Sequence, residues 1–553
     1  MPGRMGWLRH YHRSLLAGDI SAGVVVAMMM IPQGMAYAMV AGLPPVAGIY
    51  ASILPPLLYA LFGSSMTQSV GPMAIIALMT AAALGPLAAA GSGLYMVLAA
   101  QLALLTGVVL LACGLLRIGF LANFFSRPVM SGFTIGSAVV IAWGQLPALV
   151  GADLSAGHLA GLHLPSALLG IGALLLLLAA RAWLARLLRA LGLGPGGAAI
   201  ATRLAPMAVV VGATLLVARF DLAGAGIHTT GAVPAGLPGL NLAVSNSHWR
   251  ALLQPALLIG FMIFLISMAA AQTLALKRQE KLHSNLELIG LGAANLGSAL
   301  SGGFPVTGSM SRSAVNFSAG ANTPLASVIT ALLLALALVL PSGYLALLPL
   351  PALAATIIVA VLGMLELATL RAALRYDRGD ALALAATAGG VLALGIEAGV
   401  VTGVVLSIGT LIWRASRPHI VVLGRIAGTE HFRDIERYPG ETAPGVLLLR
   451  IDAGLFFGNV DAVNARIEEE LAAHGATRHL VLVLSAVNAI DTSALFGLIE
   501  LNVLLRHRKI GLHLAEVKGP VLDRLKTSDL LATLNGKVFL STAMASDALG
   551  DEA

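Results

Sequence analysis

Long apolar runs broken by glycine and proline dominate the chain between residues 20 and 416. A helix needs roughly 20 apolar residues to cross a bilayer, and most of these runs reach that length. Spanning helices are therefore predicted at 20–40, 45–62, 93–116, 128–150, 165–184, 204–219, 251–275, 284–300, 323–340, 352–370, 380–395 and 398–415. Two further runs, 72–86 and 309–320, are too short to span alone. Counting them as half-spans predicts fourteen segments, and an even number places both termini on one side of the membrane.

The pattern changes after residue 417. Strand-like runs at 446–451, 479–487 and 511–517 alternate with an amphipathic acidic stretch at 460–473 and with helices predicted from Asp491 to Arg508 and from Pro520. Alternation of strands and helices is typical of an α/β layer fold. The predicted organisation is a short N-terminal segment at 1–19, a transmembrane domain at 20–417 and a C-terminal α/β domain at 418–553.

Composition supports the membrane assignment and excludes other classes. Hydrophobic residues make up 58% of the 553 residues and charged residues only 11%, whereas a soluble protein carries about 25% charged residues. The single cysteine, Cys113, excludes a disulfide scaffold. The net charge of +7 is spread thinly along the chain, so a nucleic-acid partner is not expected. The composition indicates a polytopic α-helical membrane protein.

Basic residues orient the predicted helices. With the N-terminus in the cytoplasm, 17 of the 20 Lys and Arg residues in 1–417 fall on the cytoplasmic side, and only Arg219 and Arg250 fall outside. Cytoplasmic enrichment of this kind is the usual bias of inner-membrane proteins. Both termini are therefore predicted to be cytoplasmic. A cleaved signal is not expected, because the first apolar stretch is long and no small-residue cleavage site closes a short core.

Arg312 is the remaining basic residue of the membrane region, and it lies in the half-span 309–320. A charge at this depth costs about 2.5–3.5 kcal/mol on insertion scales and is functional by default. The alternative is an arginine that snorkels from a helix end. No carboxylate accompanies it in mid-span, since Asp19, Glu287, Glu366 and Glu397 all lie near the ends of predicted helices.

Glycine and proline directly precede both half-spans, at 67–72 and 302–308. Pro72 suits a first helical turn, and Ser309 or Gly308 can cap the second helix. Matching interruptions in two halves of a chain point to a transporter binding site. Their separation fits two repeats of seven segments with inverted topology. Two helix N-termini beside Arg312 would form an anion site; the alternative is a pair of structural kinks.

The first predicted helix carries Gln33 and Tyr37 one turn apart, on the same face. Their amide and hydroxyl could solvate a substrate oxygen. The alternative is that they hydrogen-bond to neighbouring helices.

These motifs together resemble the SulP family of anion permeases, also called solute carrier family 26, along nearly the whole chain. The residues that carry the resemblance lie at 18–23, 31–38, 44–50, 63–65, 69–72 and 303–316. The resemblance implies fourteen segments in 7+7 inverted repeats, divided into core and gate domains. It also implies elevator-like movement of the core, usually in a homodimer, and substrates such as sulfate, bicarbonate, chloride or dicarboxylates.

The resemblance further assigns site residues. By motif, it places seven residues around the anion, namely Gln33, Tyr37, Met73, Ala74, Ser309, Ser311 and Arg312. The C-terminal domain resembles a STAS domain, and the serine that matches Ser493 accepts phosphate in signalling relatives. The alternative for Ser493 is a plain capping loop.

One departure from the family bears on ion coupling. Many relatives carry an acidic residue in the eighth segment after Gly-Phe and one apolar residue, whereas this chain has Ile263 and Phe264 after Met262. A carboxylate there could bind a proton or sodium beside the substrate. Its absence favours exchange, or coupling through another group.

The sequence thus predicts a secondary anion transporter, operating as a symporter or exchanger. Two other functions stay open: a passive anion channel, and a membrane signalling receptor that uses the STAS-like domain. The chain has no His-Glu-x-x-His motif, Walker loop or cysteine pair. Neither enzymatic activity nor a metal or other cofactor is therefore expected.

Overall fold

The structure is a computed structural model that describes residues 6–9, 11–120, 127–152, 163–231, 236–239, 248–339, 346–363, 365 and 367–551. Two compact units are present, Met1–Ser407 and Ile408–Ala553. The division falls inside the last apolar helix, ten residues before the boundary predicted from composition.

Within its described residues, the first unit is helical apart from two very short strands. After two short helical turns at Gly6–Arg9 and Arg13–Leu15, its helices are α1 (Leu16–Val40), α2 (Pro45–Tyr50), α3 (Leu54–Phe62), α4 (Ala74–Leu84), α5 (Gly93–Leu115), α6 (Arg127–Gly144), α7 (Leu146–Val150), α8 (Leu164–Ala179), α9 (Pro195–Arg219), α10 (Trp249–Arg278), α11 (Ser284–Leu300), α12 (Met310–Ser318), α13 (Leu325–Val339), α14 (Leu350–Leu362), α15 (Leu367–Tyr376), α16 (Arg378–Leu394) and α17 (Ile396–Ala415). A π-helical turn at Ala180–Leu184 and a helix at Ala185–Ala190 extend α8.

Each predicted segment has a helical counterpart. Among the described residues, six helical stretches are long and apolar enough to cross a membrane, and several shorter apolar helices accompany them. The segment predicted at 45–62 contains a break between α2 and α3, because Pro55 and Pro56 have no N–H to continue the helical hydrogen bonds across residues 51–53. The segment predicted at 352–370 is likewise divided, into α14 and α15.

Glycines allow α5 and α11 to pack closely. A methyl group on Gly107 would come within 3.0 Å of the Gly292 carbonyl oxygen, and one on Gly114 within 3.0 Å of the Asn285 carbonyl oxygen. Small residues at such contacts let membrane helices approach to backbone distance, where van der Waals contact replaces the hydrophobic effect as the stabilising interaction.

The outward face of α8 carries large apolar side chains. Leu164, Leu168 and Leu175 are each more than 60% exposed. Monomeric soluble proteins rarely expose a continuous apolar surface of this kind. The face is therefore suited to contact with lipid, as the hydropathy pattern predicts.

The second unit is built on one mixed sheet. Its strands are β3 (Ile420–Arg425), β4 (Phe432–Asp434), β5 (Val446–Ile451), β6 (His479–Val483), β7 (Gly511–Ala515) and β8 (Val538–Phe539), in the order β4-β3-β5-β6-β7-β8. Strands β5 to β8 are parallel, and β3 and β4 are antiparallel additions at one edge.

Helices cover both faces of this sheet, so the central strands are almost entirely apolar. The helices are α18 (Val460–Ala473), α19 (Thr492–His507), α20 (Gly519–Lys526), α21 (Leu530–Thr533) and α22 (Thr542–Gly550). Leu480, Leu482 and Leu501 pack on one face of the sheet, whereas Val481 and Leu549 pack on the other. The predicted α/β layer fold of this domain is confirmed.

Candidate anion-binding site

A two-stranded ribbon joins the two interrupted segments. Strand β1 (Val70–Gly71) pairs antiparallel with β2 (Thr307–Gly308), with Val70 opposite Gly308 and Gly71 opposite Thr307. All four residues are buried. The Ser309 amide N also donates to the Ser69 carbonyl oxygen at 3.0 Å. Residues more than 230 positions apart in the sequence are thereby held next to each other inside the helical domain.

Each strand of the ribbon leads directly into a half-helix, α4 after β1 and α12 after β2. Because the two strands pair, both half-helices begin beside the ribbon and their N-terminal ends lie close together. No side chain caps α4, whereas the Ser309 hydroxyl caps α12 by accepting a bond from the Arg312 amide at 3.5 Å. The first N–H groups of a helix lack partners within the helix and carry partial positive charge.

Arg312 connects the two half-helices. Its Nη1 atom donates to the Pro72 carbonyl oxygen at 2.6 Å, just before α4. The side chain is only 1% exposed, yet its Nε and Nη2 atoms have no hydrogen-bond partner in the part of the chain that the structure describes. Buried guanidinium groups are normally paired, because desolvating an unpaired charge is costly. The two unused donors are therefore suited to an anionic ligand.

Helix α1 covers this arginine. The Tyr37 side chain, also on α1, is 6% exposed and lies near Arg312. A methyl group on Gly71 would overlap Met30 and come within 3.5 Å of Arg312 Nη2. Glycine at position 71 leaves room for the end of the Met30 side chain against the ribbon. Gln33 lies on α1 as well and is half-buried.

The predicted site residues fall on three elements. Met73 and Ala74 begin α4, and they are 7% and 0% exposed. Ser309 is buried and Ser311 is exposed, with their hydroxyl oxygens 3.2 Å apart at the start of α12. Gln33 and Tyr37 come from α1. The ribbon gathers the α4 and α12 residues, but their role in binding an anion stays a prediction.

Polar side chains outside the predicted set hold the ribbon in place. Asn295 of α11 bonds both backbone groups of Val306, accepting from its N–H at 2.9 Å and donating to its carbonyl at 3.0 Å. The Ser313 hydroxyl accepts from the Ser69 amide at 2.9 Å. Sequence reasoning missed these residues. Asn295 could have been predicted to form a buried hydrogen bond, since an amide side chain inside an apolar helix needs a partner.

In the second unit, Ser493 is exposed in the first turn of α19. Asp491 caps this helix: its Oδ1 accepts from the Ala494 amide at 2.8 Å and its Oδ2 from the Phe457 amide at 2.9 Å. These two N–H groups lower the pKa of Asp491 below its usual value. The exposed hydroxyl is compatible with modification, and the capping geometry equally suits the plainer alternative for this loop.

Asp491→Ala should accelerate amide hydrogen exchange at Ala494 and Phe457, because both N–H groups lose their acceptor. Since the folded pKa of Asp491 is depressed, its contribution is complete at neutral pH and disappears as the pH falls through that pKa. Exchange mass spectrometry of the full-length protein should therefore separate the variant from the wild type at neutral pH, but not in strong acid. Equal exchange at neutral pH would contradict the capping role.

The helical membrane domain, with two interrupted helices that meet at a buried arginine, is the architecture of an anion transporter. The sulfate permease family profile matches residues 16–387, and the STAS domain profile matches residues 439–545. The chain belongs to the sulfate permease family and carries a C-terminal STAS domain. The resemblance seen in the sequence motifs is thereby confirmed.

Relatives of this chain in bacteria and in plants are named sulfate transporters. A probable sulfate transporter of Mycobacterium tuberculosis is 37% identical over 540 residues, which cover 95% of this chain and 93% of the relative. The chloroplastic sulfate transporter 4.1 of Arabidopsis thaliana is 34% identical over 517 residues, covering 90% of this chain and 74% of the relative. This chain is therefore similar to sulfate transporters along almost its entire length.

Solved structures share the fold. The murine solute carrier 26 family member A9 anion transporter, in an inward-facing state, superposes with a TM-score of 0.88 at 21% identity, covering 99% of this chain and 94% of that one. The transmembrane domain of the cyanobacterial bicarbonate transporter BicA superposes with a TM-score of 0.59 at 22% identity, covering 72% of this chain and 99% of that one. At these identities the comparison establishes the architecture alone.

Proposed function

We propose that this protein is a secondary transporter of small oxyanions, with sulfate as its preferred substrate. The observation that carries the proposal is the pair of unpartnered donors on buried Arg312, between the N-termini of α4 and α12. Each helix terminus contributes about +0.5 charge and the guanidinium +1, so the site offers about +2. That charge matches a dianion such as sulfate better than chloride or bicarbonate. The names of the curated relatives support the same choice.

We further propose an elevator-like mechanism in a homodimer, with seven segments in each of two inverted repeats. The ribbon supports this mechanism, because it ties the anion-binding ends of both halves into one body that moves as a whole. The proposed location is the inner plasma membrane, with both termini in the cytoplasm, as the distribution of basic residues indicates. Bicarbonate and dicarboxylates are the competing substrates.

Uptake of radiolabelled sulfate into proteoliposomes tests the proposal. A carrier should show saturable uptake, inhibition by unlabelled sulfate and stimulated counterflow from liposomes preloaded with sulfate, with chloride competing less well. Proton and sodium gradients should be imposed separately, so that coupling and exchange are distinguished. Large unitary currents without counterflow would instead indicate a channel, and the absence of flux for every anion tested would favour a signalling receptor.

A further inference from the structure

Glu287, near the N-terminus of α11, has a carboxyl group that is completely buried. One of its oxygens, Oε1, accepts from the Ser64 amide at 2.9 Å, from the Ser64 hydroxyl at 2.7 Å and from the Ser65 amide at 3.0 Å. Sequence reasoning placed this residue at a helix end and assigned it no function. Burial of a carboxyl group inside a membrane domain is costly, so each of its partners bears on its role.

The other oxygen, Oε2, lies 2.6 Å from the Tyr59 hydroxyl, and the same hydroxyl lies 2.7 Å from Gln68 Oε1. A tyrosine hydroxyl has one proton to donate. An amide oxygen cannot donate, and neither can an ionised carboxylate. The hydroxyl therefore faces two acceptors with a single proton.

Rotation of the Gln68 amide does not remove this conflict. Gln68 Nε2 donates to the Ser267 carbonyl oxygen at 3.1 Å and also bonds the Ser267 hydroxyl. Exchanging the amide nitrogen and oxygen would place Gln68 Oε1 against that carbonyl, which is an acceptor alone. The amide oxygen of Gln68 is consequently fixed toward Tyr59.

We propose that Glu287 is a proton-binding site. When Oε2 carries a proton, it donates to the Tyr59 oxygen, and the Tyr59 hydroxyl donates to Gln68 Oε1. The chain from Glu287 through Tyr59 and Gln68 to Ser267 then has a donor and an acceptor at every step. This assignment rests on the proposed transport function. It provides a carboxyl group for coupling transport to protons, which the eighth segment lacks because Ile263 and Phe264 are apolar.

Asp19 shows the contrasting pattern for a buried carboxylate. It is also fully buried, and it accepts from the Asn322 amide at 2.7 Å, the Thr323 amide at 3.0 Å and the Thr323 hydroxyl at 2.7 Å. Each of these groups donates, so Asp19 satisfies its partners without an added proton. Burial therefore does not distinguish Glu287 from Asp19. What distinguishes Glu287 is its neighbour Tyr59, whose hydroxyl faces two acceptors and has one proton to donate.

Among the side chains that the structure describes, the elements next to Glu287 bring few titratable groups to it. Tyr59 of α3 contacts the carboxyl group directly. His283, the residue before α11, is exposed, and its backbone N–H donates to the Ser64 hydroxyl at 3.3 Å. Helix α5, which packs along α11, carries Cys113 and ends near Arg117, which is exposed. Tyr59 is thus the titratable group through which the proton on Glu287 is relayed.

The proton site is connected to the anion site through Gln68. This residue immediately precedes Ser69 and β1, and a methyl group on Gly308 would overlap the Gln68 amide nitrogen. When Glu287 loses its proton, Tyr59 donates to the carboxylate and turns a lone pair toward Gln68 Oε1. The resulting repulsion displaces Gln68 and, through it, the ribbon that carries the anion-binding ends of α4 and α12.

Glu287→Gln tests the proposal, because the glutamine amide donates permanently to Tyr59 and imitates the protonated state. In proteoliposomes with labelled sulfate, an acid-outside gradient of one pH unit should raise wild-type accumulation up to about tenfold per coupled proton, and should change that of the variant by less than about twofold. Glu280→Gln is the matched control, since Glu280 pairs with Arg278 and is partly exposed. It should respond to the gradient as the wild type does. A full response by Glu287→Gln would overturn the proposal.

A second measurement is independent of transport. Infrared difference spectra of the purified protein, recorded as the pH is varied, should contain the carbonyl band of a protonated carboxylic acid that is absent from Glu287→Gln. Absence of such a band in the wild type would overturn the proton site even if sulfate is transported, and its presence would support the site even if sulfate is not. Should Glu287→Gln fail to fold, Tyr59→Phe removes the shared hydroxyl and should abolish or shift the same band; an unchanged band would also overturn the proposal.

Discussion

Arg312→Gln is expected to weaken sulfate binding by at least about thirtyfold, the equivalent of about 2 kcal/mol or more. The glutamine lacks the charge and the two unpartnered donor nitrogens, and its side chain is shorter than the arginine that bonds the Pro72 carbonyl. Isothermal titration calorimetry with sulfate measures the loss directly. Unliganded stability should not fall, because the substitution removes a desolvated charge with unsatisfied donors.

Two further variants complete this experiment. Arg312→Lys keeps the charge but loses the planar fork of donors, so it should bind sulfate with intermediate affinity. Arg186→Gln makes the same chemical change at an exposed position and should bind like the wild type. If Arg312→Gln bound sulfate with wild-type affinity, Arg312 would not be part of the anion site.

Gly48→Ala is expected to destabilise the membrane domain by about 3 kcal/mol or more, the upper end of overpacking effects. A methyl group there would overlap the carbonyl group of Gly34 and come within 2.9 Å of the Met35 amide nitrogen. These are backbone atoms of α1, so a change of rotamer gives no relief and the helix itself must move. Because Gln33 and Tyr37 flank the contact, sulfate affinity should fall as well. The midpoint of thermal unfolding, followed by size-exclusion chromatography, measures the effect on stability.

The matched control for Gly48→Ala is Gly172→Ala in the middle of α8, where the added methyl group has no neighbour within 4 Å. It should be neutral, or stabilising by about 0.5–1 kcal/mol, because alanine has the higher helix propensity. Equal unfolding midpoints for the two variants would show that α1 and α2 can separate at little cost, contrary to the packing described above.

Much of the membrane fold was predictable, because hydropathy and length constrain helices that cross a bilayer. The half-helices were predictable for a related reason: 72–86 and 309–320 are apolar yet too short, and they correspond to α4 and α12. In contrast, strand β3 lies just inside the predicted C-terminal domain and was not predicted as a strand. Its antiparallel pairing with β5 depends on contacts that no local pattern contains.

For the site, sequence reasoning could single out Arg312, since a lone charge at membrane depth is conspicuous. It could not find the bond from Arg312 to Pro72, which joins residues 240 positions apart. Nor could it find the contact of Glu287 with Tyr59, or the bond from Tyr59 to Gln68, since both residues lie more than 200 positions before Glu287. Each of these residues is ordinary in its own segment, and the chemistry arises only from their juxtaposition.

The ribbon between β1 and β2 also constrains how this chain can change in length. Only two residues of each strand pair, so one inserted or deleted residue beside Val70 or Thr307 would slip the register and turn every following side chain to the opposite face. The half-helix behind the slipped strand would then present its first turn away from the proposed anion site. Insertions and deletions are therefore not tolerated beside β1 or β2, although the two strands lie in different halves of the chain. Loops elsewhere are free to lengthen. Homologues of this fold should accumulate insertions outside the ribbon, even where their substrates differ.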